Sequence, residues 1–232
     1  MTTILTDGKV LYADMRTSVH HGAAMTWKDN TKKLFDLRRN KLQIKIEEGT
    51  LKILAAGFAG RSVNRPKLVK LLSLVEAGTS IDPIMKSIEV SCTGYTNFSL
   101  MFVCEDNFIV VYKGSWTAAD TYTVDKKVVK LQEGLFYGVG SGSGLGEGVG
   151  RVKPKTTLRD AFQLSTYMDN ASSSSYHRLD LYEEGSRITA HHPEPEQVAT
   201  LVRRVMRSMS NIKDLPPKID HSYNPVDETL HF

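Results

Sequence analysis

Strand-like runs in this chain come in pairs, and the turns that join them are too short for a crossover. Residues 3–6 and 9–13 flank Asp7-Gly8, which reads as a hairpin with a two-residue connection. Residues 98–103 and 108–112 are apolar runs with Glu105-Asp106-Asn107 supplying the turn between them. Such turns join antiparallel neighbours, because parallel strands need a connection of a dozen or more residues. Further strand signals fall at 33–36, 42–46, 51–56 and 176–182, the third of these apolar and expected to stop at Gly57.

Helical spacing appears elsewhere. Leu68, Leu71, Leu72 and Val75 recur between Pro66 and Gly78, and residues 83–90 continue as a second helix. Residues 158–168 follow an N-cap at Thr156 or Thr157. Val198, Leu201, Val202, Val205 and Met206 mark an amphipathic helix, after which the Pro-containing tail from Asp214 reads as extended or disordered. The order is strands, helices, strands, helix, strand, helix, which predicts α+β with antiparallel sheets and segregated helices. Residues 1–186 form the expected domain. Residues 187–232 are expected to be a terminal helix and tail, serving as an assembly or partner-binding arm.

Composition excludes several function classes. The net charge of +4 is modest and Lys and Arg are dispersed, so the basic stripe that nucleic acid requires is missing. No apolar run reaches the roughly 18 to 20 residues that span a bilayer, so a membrane location is not expected. Residues 1–7 lack a basic start and an apolar core, so export is not expected and a cytoplasmic location is. Cys92 and Cys104 are too few and wrongly spaced for a metal knuckle, and read as small buried hydrophobes. The His20-His21 and His191-His192 pairs are read as surface residues, since adjacent strand side chains cannot face one metal. No metal or organic cofactor is expected. The glycines of residues 138–150 fit neither common nucleotide fingerprint.

The chemistry to weigh sits at the start. Removal of Met1 would leave Thr2 with a hydroxyl and a free α-amine on one residue. An α-amine titrates near 7.7 to 8.0, so it can accept the hydroxyl's proton at neutral pH. Such a site also needs a cation, a carboxylate to hold it, and an oxyanion donor.

Several segments in order resemble the proteasome β-subunit family of N-terminal-nucleophile hydrolases. They are Thr2-Thr3-Ile4, residues 13–18 (Ala-Asp-Met-Arg-Thr-Ser), residues 30–34 (Asn-Thr-Lys-Lys-Leu), residues 56–60 (Ala-Gly-Phe-Ala-Gly), residues 139–143 (Val-Gly-Ser-Gly-Ser) and residues 169–172 (Asp-Asn-Ala-Ser). The glycine turn at 56–60 is nearest in motif to the peptidase subunit of the bacterial ATP-dependent heat-shock two-component protease. The resemblance implies a four-layer αββα sandwich of two stacked antiparallel sheets flanked by helices. It implies that Thr2 is the nucleophile, Lys33 lowers the amine's pKa, Asp14 holds Lys33, and the Gly60 N–H stabilises the oxyanion. Ser141, Asp169 and Ser172 would hold the α-amine. Ser18 would bind substrate backbone, with Thr17, Thr31, Phe35, Phe58 and Ser62 walling the side-chain pocket. The implied activity is threonine-type endopeptidase, in a homo-oligomeric ring fed unfolded polypeptide by a ring ATPase unfoldase. Two rivals stay open: an inactive structural subunit that retains Met1, and an amidohydrolase acting on a small amide. Residues 61–66 (Arg-Ser-Val-Asn-Arg-Pro) depart from the pattern in being basic.

Overall fold

β1 (Thr3–Thr6) and β2 (Val10–Asp14) form the expected antiparallel hairpin at the start of the chain. The computed structural model describes residues 2–21, 24–60, 64–90, 96–153, 155–169 and 172–209. The β1–β2 connection is longer than the two residues expected. Asp7 Oδ1 accepts the N–H groups of Lys9 at 2.9 Å and Val10 at 2.8 Å, closing a wider Asx turn. The first sheet is completed by β11 (Tyr137–Gly140) beside β1, then β12 (Tyr176–Asp180) beside β2 and β13 (Thr189–His191) at the edge. The second sheet runs β10 (Tyr122–Lys130), β9 (Phe108–Trp116), β8 (Phe98–Cys104), β7 (Gly49–Gly60), β5 (Leu34–Asp36), with β6 (Gln43–Ile46) also on β7. A separate two-stranded hairpin joins β3 (Arg16–His21) to β4 (Ala24–Asp29). All strand pairings among the described residues are antiparallel.

Among the described residues five helices cover the sheets: α1 (Asn64–Ser73), α2 (Asp82–Val90), α3 (Ser143–Val152), α4 (Leu158–Met168) and α5 (Pro195–Met209). The buried residues fall into three layers. Ile4, Leu11, Leu34, Ala55, Met101 and Val111 pack between the sheets. Ile53, Phe58, Phe102 and Tyr112 face the other way, onto Leu68, Leu72, Met85 and Ile88 of α1 and α2. Leu5 and Tyr12 face Val149, Phe162, Val198 and Val202 of α3, α4 and α5. This is the αββα sandwich. It explains why β1 is buried at every position: alternation sends Ile4 inward and Leu5 outward, and both faces are covered.

Particular elements depart from expectation for local reasons. β7 does not stop at Gly57 but runs on to Gly60. A Cβ on Gly57 would lie 3.0 Å from Ile4 Cγ2, so the glycine marks a close approach between sheets rather than a strand end. α3 forms through a glycine-rich segment. A Cβ on Gly146 would lie 2.2 Å from Leu5 Cδ1, and one on Gly150 would lie 2.6 Å from the Phe136 ring. Glycine is what lets α3 lie against the sheet. α4 starts where predicted, with Thr157 Oγ1 accepting the Asp160 N–H at 3.1 Å.

β10 carries no apolar period, because it is an edge strand with mostly exposed positions and Lys126, Lys127 and Lys130 along it. The division expected after residue 186 falls between β12 and β13, which pair in one sheet. α5 then buries Val198, Leu201, Val202 and Val205 at helical spacing, each worth about 1.5–3 kcal/mol. Residues 189–209 therefore belong to the same packed body, and the tail from residue 210 lies outside the described residues. Cys104 is fully buried, and that burial pushes its thiol up to about 12; Cys92 lies outside the described residues. No helix among the described residues is long and apolar enough to cross a membrane.

Candidate active site

The antiparallel pairing of β1 with β2 returns the chain to its own start, so Asp14 at the end of β2 meets the Thr2–Thr3 peptide. Thr3 N–H donates to Asp14 Oδ1 at 2.7 Å. Lys33, one residue before β5, donates through Nζ to that same oxygen at 2.9 Å and to the Arg16 carbonyl at 2.6 Å. The first peptide of the strand and the ammonium therefore share one acceptor atom. Both side chains are nearly inaccessible, Asp14 at 0% and Lys33 at 3%. The other carboxylate oxygen accepts the N–H of Arg16 at 2.9 Å and of Ser173 at 3.4 Å.

Burial disfavours both charges, pushing the Asp14 carboxyl up and the Lys33 ammonium down from their ordinary values. Lys33 and the N–H groups of Thr3 and Arg16 oppose this at Asp14 and favour the carboxylate. The outcome is a lysine poised to lose its proton more readily than usual. It sits beside a carboxylate that cannot move away.

Across the strand, β11 ends in Gly140-Ser141-Gly142. Gly140 has φ of +100°, and a Cβ there would lie 1.9 Å from the Thr2 carbonyl oxygen. A Cβ on Gly142 would lie 2.2 Å from Thr3 Oγ1. These two glycines admit the first residues of the chain. Asp169, which caps α4, then collects hydroxyls. Its Oδ2 accepts from Ser141 Oγ at 2.6 Å and Ser172 Oγ at 2.8 Å. Thr3 Oγ1 lies 2.8 Å from Ser172 Oγ, and since each hydroxyl has one proton, Thr3 is the donor there. The structure thus brings Ser141, Asp169 and Ser172 together beside Thr2 and Thr3. The Thr3 hydroxyl enters their network.

Gly60 closes β7 at φ of +143°. Phe58 N–H donates to the Lys33 carbonyl at 2.9 Å. Backbone direction alternates along a strand, so the Gly60 N–H leaves by the same edge, beyond the end of β5. That is the side on which Lys33 and Thr2 lie. Thr17 Oγ1 donates to Thr31 Oγ1 at 2.6 Å. Phe35 and Phe58 pack in the layer beneath α1. The side chain of Ser18, all of Ser62, and Met1 lie outside the described residues.

Three contributors escaped sequence reading. Arg16 makes a two-pronged pair with Asp29, at 2.9 and 3.0 Å, across the base of the β3–β4 hairpin. That hydrogen bonding holds the Asp29 carboxyl below its ordinary value. Ser173 Oγ adds a bond to Asp29 at 3.2 Å. Together they brace the Arg16 carbonyl that receives Lys33. Only the Asp-x-Arg spacing at 14–16 hinted at this. Of the histidines, His191 stacks on Tyr176 at 4.9 Å and His192 contacts Ser175 Oγ at 3.1 Å.

An αββα sandwich with a threonine pair at the open end of β1 has the fold of the proteasome-like N-terminal-nucleophile proteins. Two solved structures of Anbu from Hyphomicrobium sp. strain MC1 match it. One, of an Anbu (Gly-1) mutant, has a TM-score of 0.54 and 14% identity, covering 94% of this chain and 100% of that one. The other has a TM-score of 0.51 and 12% identity with the same coverage. No family model and no curated protein matches the chain. These findings correct the expectation of a nearest relative in the bacterial heat-shock two-component protease: these two solved structures are of Anbu, a proteasome-like protein, and no family model or curated protein supports that peptidase. At such identity the likeness carries the fold alone.

Proposed function

We propose that this chain is a threonine-type peptidase whose nucleophile is Thr2, exposed when the bond preceding it is cut. The observation that carries this is the sharing of Asp14 Oδ1 between the Thr3 N–H and Lys33 Nζ. Two donors on one oxygen are no farther apart than the two bonds laid end to end. Lys33 is therefore held next to the residue that would bear the nucleophile.

In this reading the free α-amine of Thr2 takes the proton from its own hydroxyl. The oxygen attacks the scissile carbonyl, and the Gly60 N–H receives the oxyanion, a contribution of about 3 kcal/mol for one such donor. The amine returns its proton to the leaving amide nitrogen, leaving an acyl-enzyme. Water, deprotonated by the same amine, then releases the acid. The Lys33 charge holds the amine's pKa down. The Ser141–Asp169–Ser172 cluster keeps the Thr2–Thr3 backbone in line. The proposal includes a ring of copies of this chain, with unfolded polypeptide delivered by a separate ring ATPase; the proteasome-like fold supports it.

The test begins with intact mass, where loss of Met1 is expected. A threonine-directed electrophile should label the processed protein. Thr2→Ala should abolish labelling and peptide hydrolysis, while Thr2→Ser should keep part of both. Full hydrolysis by Thr2→Ala would refute the mechanism, and retention of Met1 would leave this form without the required amine.

A further inference from the structure

Arg65 stands out among the charged groups near the site because no ion pair is seen for it among the described residues. It lies in the first turn of α1, just after the β7 end that carries Gly60. Its Cζ sits 5.4 Å over the centroid of the Phe35 ring. Its Nε is buried without a hydrogen-bond partner, and among the described residues no carboxylate pairs with it. Burial holds its pKa below the ordinary value. Arg38, by contrast, has carboxylate and carbonyl acceptors in Asp36 and Ser186. A buried guanidinium N–H without an acceptor is costly unless one comes to it.

Its placement says which acceptor. Leu34 of β5 turns into the layer between the sheets, whereas Phe35 turns toward α1. On a strand period of two, Lys33 shares the face of Phe35. Phe58, whose N–H is bonded to the Lys33 carbonyl, packs in the same layer. A wall therefore runs from Lys33 over Phe35 to the Arg65 guanidinium. A substrate side chain preceding the cleaved bond would run along it with its tip at Arg65.

We propose that Arg65 is a specificity-determining residue that selects acidic side chains, glutamate or aspartate, immediately before the scissile bond. This rests on the peptidase reading above. The planar guanidinium, stacked on Phe35, would accept a carboxylate through two parallel N–H donors, which lysine cannot reproduce.

The experiment uses the processed full chain and three fluorogenic peptides that differ only in Glu, Leu or Arg before the reporter. The Glu peptide should have the highest kcat/KM. Arg65→Met keeps the apolar stem over Phe35 and should lower kcat/KM for the Glu peptide by about ten- to a hundredfold, leaving the Leu peptide unchanged or improved. Arg65→Lys should lie between. A wild-type preference for Leu or Arg would overturn the assignment while leaving the peptidase reading intact. An equal loss on all three peptides in Arg65→Met would overturn it too, by showing a structural role. If no peptide is cleaved and Thr2 resists labelling, the peptidase reading fails and takes this inference with it.

Discussion

Replacing Asp14 by Asn removes one charge from a buried pair while nearly preserving its shape. Asp14 is 0% accessible and Lys33 3%, so neither charge can turn to water. The amide oxygen could still accept from Thr3 N–H, but the amide nitrogen would face the N–H groups of Arg16 and Ser173, donor against donor. Lys33 would keep the amide oxygen and the Arg16 carbonyl as acceptors but lose its opposing charge. Stranding one member of a buried pair costs about 3–5 kcal/mol. For a domain of this size, that lowers Tm by roughly 6–20 °C. Thermal unfolding should be followed at one protein concentration, because assembly would make Tm depend on it. Lys33→Met should also destabilise. The double variant should fall short of the sum of the singles by about 1.5–3 kcal/mol, because each single strands the same partner. A loss below about 1 kcal/mol for Asp14→Asn, or strict additivity in the cycle, would refute the view that this contact anchors the start of β1.

Three further outcomes are expected. Gly146→Ala should destabilise despite a helix-propensity gain of about 1 kcal/mol, because its Cβ would meet Leu5 Cδ1 at 2.2 Å; overpacking of 1–3 kcal/mol outweighs the gain, read as a lower urea midpoint. Gly140→Ala combines a φ of +100° with a Cβ 1.9 Å from the Thr2 carbonyl oxygen. It should abolish electrophile labelling of Thr2 and cost about 2 kcal/mol or more in chemical denaturation. Asp82 carries a pH signature. Burial would raise its pKa, but hydrogen bonds from Lys126, Ser80, Tyr112 and the Lys45 N–H hold it at about 2. Its folded pKa lies below the ordinary value near 3.9, so its stabilisation is present above pH 4 and is lost as pH falls toward 2. Because the group is largely solvated, the contribution is about 1 kcal/mol. The stability gap between wild type and Asp82→Asn should therefore close over that window in acid titrations.

Local order was legible in the sequence wherever local physics decides it. The β1–β2 hairpin, α4 with its Thr157 cap and the apolar stripe of α5 each follow from turn chemistry or hydrophobic period, which act over a few residues. The site residues Thr2, Asp14, Lys33, Ser141, Asp169 and Ser172 could be named as a set from motif order. Their meeting depends on contacts between residues up to 169 positions apart. Only the tertiary structure decided that Thr3 contributes the hydroxyl bonded to Ser172, or that Asp29 and Ser173 brace Arg16. The same holds for the glycines of α3, which are close-approach positions rather than breaks, and for the edge strand β10, whose charges hide it from any periodicity. The sequence determined which segments become strand or helix and which chemistries are on hand. Packing two sheets face to face determined which side chains meet, because distance in the fold is set by layers and register, not by position along the chain.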